Sequence, residues 1–83
     1  MRLEEKWSIE EGRIRRFFME QPDVIPDETG FSFGGCRIRL IPVTESLLGK
    51  WPQQRTVVIM EGPEADTARI HRRFFLQFLS AGG

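Results

Sequence analysis

Two short stretches, RIRRFFMEQ at residues 13–21 and RIHRRFFLQF at residues 69–78, place Phe pairs and Ile at helical spacing near opposite ends of an 83-residue chain. Apolar residues three and four apart share one side of a helix, and such a helix must bury that side against something. Two amphipathic helices in so short a chain leave only the middle of the sequence to supply the surface they cover. That requirement narrows the fold more than any other feature.

The first of these helices carries several signals. Ser8 and Glu11 have the spacing of a capping box, Glu10 and Glu11 suit the positive end of the helix dipole, and Pro22 supplies a stop. Ile14, Phe17, Phe18 and Gln21 fall on one face. Gly12 opposes the reading, at a cost of about 1 kcal/mol relative to Ala. A rival reading turns WSIEEGRIRRF into a hairpin at Glu11-Gly12, with Trp7, Ile9, Ile14 and Phe18 in strands. The caps favour the helix. The second helix has Pro63 at its first position and Glu64 and Asp66 in its first turn. Projected at 100° per residue, Ala68, Ile70, Phe74, Phe75, Phe78 and Leu79 form an apolar arc opposite Asp66, Arg69, Arg73 and Gln77.

Between the helices, CRIRLIPV alternates, with Cys36, Ile38 and Leu40 on one side and Arg37 and Arg39 on the other. This is the pattern of a strand with one covered and one open face. GFSF continues it, with a bend or bulge at Gly34-Gly35. RTVVIME is a second strand, stopped by Gly62-Pro63. TESLLGKWPQQ reads as a loop with a short helical turn at residues 46–48. The sum is an α+β two-layer sandwich, in the order helix, two or three antiparallel strands, helix, forming one small domain over residues 1–83.

The formal net charge is zero, which argues against a general polyanion binder. Charge is unevenly spread: residues 1–28 carry eight acidic against five basic side chains, and residues 29–83 four against seven. Cys36 is the only cysteine, so neither an intrachain disulfide nor a Cys-based zinc site is available. No apolar run approaches the roughly 20 residues that span a bilayer, and the start lacks the apolar core of a signal peptide. The expected location is cytoplasmic, with no membrane partner.

The repeated Arg-Phe phrase suggests a nucleic-acid surface built from Arg13, Arg15, Arg16, Arg72 and Arg73, joined by Arg37 and Arg39. Stacking on bases needs exposed aromatic rings. The helical projection instead turns Phe and Ile inward and most of the Arg outward. The order helix-strand-strand-strand-helix is also that of double-stranded RNA-binding domains, but their last helix opens on a basic stretch. Here that position reads GPEADTAR, with Glu64 and Asp66 where phosphate contacts would be needed. The likeness stops at element order. The terminal Gly82-Gly83 raises the alternative of a sulfur-carrier-like tail, although Gly following a helix has an ordinary capping explanation.

His71 is the residue out of place, since it projects into the apolar arc beside Phe74, Phe75 and Phe78. A Cys36–His71 nucleophile pair is one reading, and a hydrogen-bonded His at the core edge or in a subunit interface is the favoured one. No catalytic constellation, metal set or cofactor fingerprint occurs. The sequence therefore points to a non-enzymatic interaction or accessory module that forms a homodimer or binds another protein. Its expected binding face comprises Arg37, Arg39, Phe31 and Phe33, with Trp7 and Trp51 as anchors.

Overall fold

The computed structural model describes residues 1–46, 49 and 51–79. It contains strands β1 (Arg2–Trp7), β2 (Ile25–Pro26), β3 (Phe31–Phe33), β4 (Cys36–Glu45) and β5 (Gln53–Glu61), with helices α1 (Glu11–Met19) and α2 (Glu64–Phe78). The strands form one antiparallel sheet in the order β1-β5-β4-β3-β2. Both helices lie on one face of it. The fold is α+β, as expected, but the sheet has five strands rather than two or three, and a strand precedes α1.

The inward row of β1 is Leu3, Glu5 and Trp7. A carboxylate in the middle of that row hides the apolar alternation, which is why β1 does not read as a strand. The Gly34-Gly35 pair is not a bulge within one strand but the two-residue loop of the β3–β4 hairpin, in which Phe33 faces Cys36. Gly34 has φ of +56°, a backbone conformation that L side chains rarely adopt. The loop docks on the start of α2. Asp66 Oδ2 accepts the Gly35 N–H at 2.9 Å, and a Cβ on Gly35 would stand 2.9 Å from the Pro63 ring.

The rival hairpin for residues 7–18 does not form, because Glu11–Met19 is helical. The capping box does not form either. The N-cap is Glu10, without a side-chain cap bond, and the Ser8 hydroxyl instead accepts from Arg55 Nη1. Ile9 is buried, and its carbonyl accepts the buried Thr56 hydroxyl at 2.7 Å, fixing the β1–α1 turn to β5. Pro63 likewise lies one residue outside α2, as its N-cap.

The core joins the inward rows of the strands to the helix stripes. Phe31, Phe33, Cys36, Ile38, Val58 and Met60 come from the sheet, Ile14 and Phe18 from α1, and Ile70, Phe74 and Phe78 from α2. Aromatic rings join the two helices: Phe18 stacks on Phe74 at 5.8 Å, and Phe17 meets Phe78 edge-on at 5.6 Å. The buried stripe of α2 is narrower than the projected arc, since Ala68, Phe75 and Leu79 stay exposed. Its polar side is not merely solvated. Arg69 and Arg73 lie over the Phe33 ring at 5.5 and 5.0 Å, and Arg73 grips both oxygens of Asp23 at 2.7 and 2.8 Å. That grip ties the segment following α1 to α2.

Candidate functional site: the open face of the sheet

With both helices on one side, the other side of the sheet is covered by no described element. Strand alternation fixes what it presents. Read across β1, β5 and β4, the levels are Arg2–Glu61–Arg37, then Glu4–Ile59–Arg39, then Lys6–Val57–Ile41. Beyond them Arg55 faces Val43 and Gln53 faces Glu45. The middle of the face is therefore an apolar strip of Ile59, Val57, Ile41 and Val43, bordered by charge.

The two ends differ. At the far end the charges satisfy one another: Glu45 takes Lys6 and lies 3.6 Å from Arg55 Nε, and Lys6 holds the Glu45 carboxyl below its usual range. At the near end they do not. Arg2 engages Glu4 at 2.9 Å and Glu61 at 3.6 Å, whereas exposed Arg37 and Arg39 form no ion pair among the described residues. The nearby Asp27 carboxylate is already committed. It accepts the Thr29 and Gly30 N–H groups at 2.9 and 2.8 Å, and these bonds, chiefly that from Thr29, hold its pKa down despite some desolvation. Arg37 adds only a smaller electrostatic contribution there.

Arg2, Arg37 and Arg39 line a shallow concavity of about 480 Å³ whose apolar lining is Leu40, Ile41 and Ile59, with Glu61 also in the lining. Ile59 retains only 9% of its surface, flanked by Glu4 and Arg39, while Ile41 retains 38%. Two guanidinium groups that form no ion pair among the described residues, beside an exposed apolar patch, form a surface suited to an anionic group carried on an apolar segment.

The expected binding face divides. Arg37 and Arg39 stand on this open side, but Phe31 and Phe33 alternate to the other side and are buried beneath the helices. Trp7 also points to the helix side, edge-on to Phe74 at 4.9 Å and Phe75 at 5.9 Å. Trp51 is 88% exposed in the β4–β5 connection. These six residues do not share a surface.

The arginines of the doubled phrase divide too. Arg13, Arg15, Arg16, Arg72 and Arg73 belong to the helical layer, across the sheet from Arg37 and Arg39. Arg15 pairs with Glu11 and lies over the Phe31 ring at 5.7 Å, and Arg73 is held by Asp23. Arg13 and Arg16 line an interhelical groove of about 240 Å³ that also holds Glu20, and Arg72 is exposed.

His71 has a partner that the sequence did not suggest. Its Nε2 lies 2.9 Å from Glu5 Oε1, and the same carboxylate oxygen accepts Trp7 Nε1–H at 3.2 Å. The out-of-place His on α2 and the out-of-place Glu on β1 meet each other. Cys36 is fully buried, and its thiol donates to the Arg37 carbonyl at 3.8 Å, not to His71. The terminal Gly82-Gly83 and residues 47 and 48 of the expected helical turn lie outside the described residues. Among the described residues, no helix is long and apolar enough to cross a membrane. Comparison with protein-family models, curated proteins and solved structures finds no match to this chain.

Proposed function

We propose that this chain is a non-enzymatic interaction module that works as a homodimer and receives an acidic protein segment on its open sheet face. The observation that carries the reading is the pair Arg37 and Arg39, which form no ion pair among the described residues, beside the exposed apolar floor of Ile41. Guanidinium groups recognise carboxylates with two parallel bonds, and the adjoining apolar strip adds area that charge alone does not supply. An extended segment alternating Glu with an aliphatic residue matches both features, because alternate side chains of a strand point to the same side.

The test is anisotropy of a labelled peptide in which Glu and Leu alternate, titrated with the protein at low and at moderate salt. Binding to the wild-type chain, weakened about tenfold or more by R37E/R39E and by added salt, supports the proposal. Absence of wild-type binding at low salt sinks it. Equal binding by wild type and variant moves the site elsewhere. A mixed oligonucleotide pool serves as the comparison arm. Salt-dependent binding there, lost in R13E/R16E, replaces this reading with a nucleic-acid one. Sedimentation at micromolar concentration examines the dimer, with an expected mass about twice the 9.7 kDa of the chain.

A further inference from the structure

β1 is an edge of the sheet. At its start, Met1 N donates to Gly62 O at 2.9 Å and Gly62 N donates back to Met1 O at 3.0 Å. In an antiparallel ladder such reciprocal pairs alternate with pairs that exchange no bonds. The bonded partners along β1 are therefore Leu3, Glu5 and Trp7, facing Met60, Val58 and Thr56. It follows that the N–H and C=O groups of Arg2, Glu4 and Lys6 point away from β5. Among the described residues, no strand takes them. Such a row is a template for another strand.

The side chains of the same three residues alternate basic, acidic, basic, an order that can complement itself when reversed. Registers that keep the helices of both copies on one side, and that match outward backbone groups, are few. Placing Glu4 opposite Glu4 sets like charges together, with Arg2 opposite Lys6, and is disfavoured. Placing Glu4 opposite Arg2 sets Leu3 opposite its own copy and Met1 opposite the Glu5 carboxylate. Placing Glu4 opposite Lys6 overlaps residues 2–8 and brings Leu3 opposite Trp7 on the helix side. Leu3 and Trp7 are each only partly buried in one copy, and Phe75, packed on Trp7 at 5.9 Å, leaves 38% of its surface open beside them.

We propose that two copies pair antiparallel along β1, with Glu4 of each opposite Lys6 of the other, in one continuous ten-stranded sheet. This rests on the self-association proposed above and assigns it a surface. The unfavourable feature is Glu5, which meets its own copy on the two-fold axis. Each Glu5 carboxylate is turned back to Trp7 and His71 of its own chain, which offsets the repulsion. The present partners of Glu4 and Lys6, namely Arg2 and Glu45, are exposed pairs of the kind that exchange at little cost.

Sedimentation at micromolar concentration, with circular dichroism to verify folding, tests the arrangement. The wild-type chain sediments at about twice 9.7 kDa. Glu4→Pro removes an N–H that only a second copy would use, and it sediments as a monomer with an unchanged spectrum. Glu4→Lys dissociates about tenfold more readily, and the exchange Glu4→Lys with Lys6→Glu restores the dimer. A monomeric wild type overturns self-association altogether. A dimeric wild type whose Glu4→Pro and Glu4→Lys variants stay dimeric keeps self-association and removes β1 from it. Failure of the double exchange to restore the dimer overturns the register.

Discussion

Phe74 and Phe75 are neighbours in one FF pair, and both fall on the projected apolar arc of α2, yet the fold gives them opposite roles. Phe74 has no accessible surface, and its ring meets Trp7 at 4.9 Å, Phe78 at 5.3 Å and Phe18 at 5.8 Å. Phe75 touches Trp7 and His71 from the rim. Truncating a buried Phe to Ala costs about 3–5 kcal/mol. A chain of this length has roughly 4–12 kcal/mol in total, at about 0.05–0.15 kcal/mol per residue, so Phe74→Ala removes much of its stability. Phe74→Leu is the more measurable change, at about 1–2 kcal/mol. With a urea slope of about 1 kcal/mol per molar for a small domain, its unfolding midpoint falls by about 1–2 M. Phe75→Leu moves the midpoint by less than about 0.5 M. Equilibrium unfolding in urea, followed by far-ultraviolet circular dichroism at a common protein concentration, compares the two. Equal losses, or a larger loss at Phe75, would mean that α2 is rotated about its axis, and the packing described above would be wrong.

Three further outcomes follow from local geometry. Gly12→Ala on α1, where a Cβ meets nothing within 4 Å, stabilises by about 0.5–1 kcal/mol. Gly34→Ala, at φ of +56° and with its Cβ 2.7 Å from Asp66 Oδ2, destabilises by about 1 kcal/mol or more; thermal melts of both variants report the opposite signs. Arg73, hydrogen bonding to Asp23, lowers the Asp23 pKa in the folded chain, so the bond contributes stability above the unfolded carboxylate pKa of about 3.9 and loses it as pH falls through the lower folded value. Asp23→Asn is therefore less stable than wild type near neutral pH, and the difference closes in acid; urea midpoints across pH measure it, and a gap independent of pH contradicts the assignment.

What the sequence disclosed was whatever its own periodicity could carry. Ile14 and Phe18, or Ile70, Phe74 and Phe78, repeat at helical spacing within one segment, so the two helices and their core stripes were readable. Cys36, Ile38 and Leu40 alternate within one segment, so the open side of β4 was readable through Arg37 and Arg39. Phe31 and Phe33 were misassigned to that open side because their facing depends on Gly34-Gly35 being a two-residue turn. The turn pairs Phe33 with Cys36 and so sets both Phe residues on the side of Cys36 and Ile38. A bend within one continuous strand carries no such constraint. Register across a hairpin is a relation between strands, and neither strand states it alone. Pro42 shows the converse. It stands in the middle of β4, but β3 pairs only as far as Ile38, so the missing N–H disrupts no ladder.

The misfits were the least legible features and the most informative once placed. Glu5 breaks the inward row of β1, and His71 breaks the apolar arc of α2, 66 positions away. Judged singly, Glu5 argues against a strand and His71 suggests a catalytic group or an interface. Placed together, each supplies the reason for the other. A carboxylate on the covered side of a sheet needs donors, and the Trp7 indole and His71 imidazole meet that need at the rim of the core. Two further polar groups resolve similarly, Asp66 with the Gly35 N–H and Asp23 with Arg73, whereas the buried Thr67 hydroxyl finds no hydrogen-bond partner among the described residues. Arg37 and Arg39, like Arg13, Arg16, Arg69 and Arg72, form no ion pair among the described residues, but they stand on the uncovered face beside exposed Ile41. Two guanidinium groups without an ion pair among the described residues, set on the uncovered sheet face above an apolar floor, are the pair whose partner is best sought outside the fold.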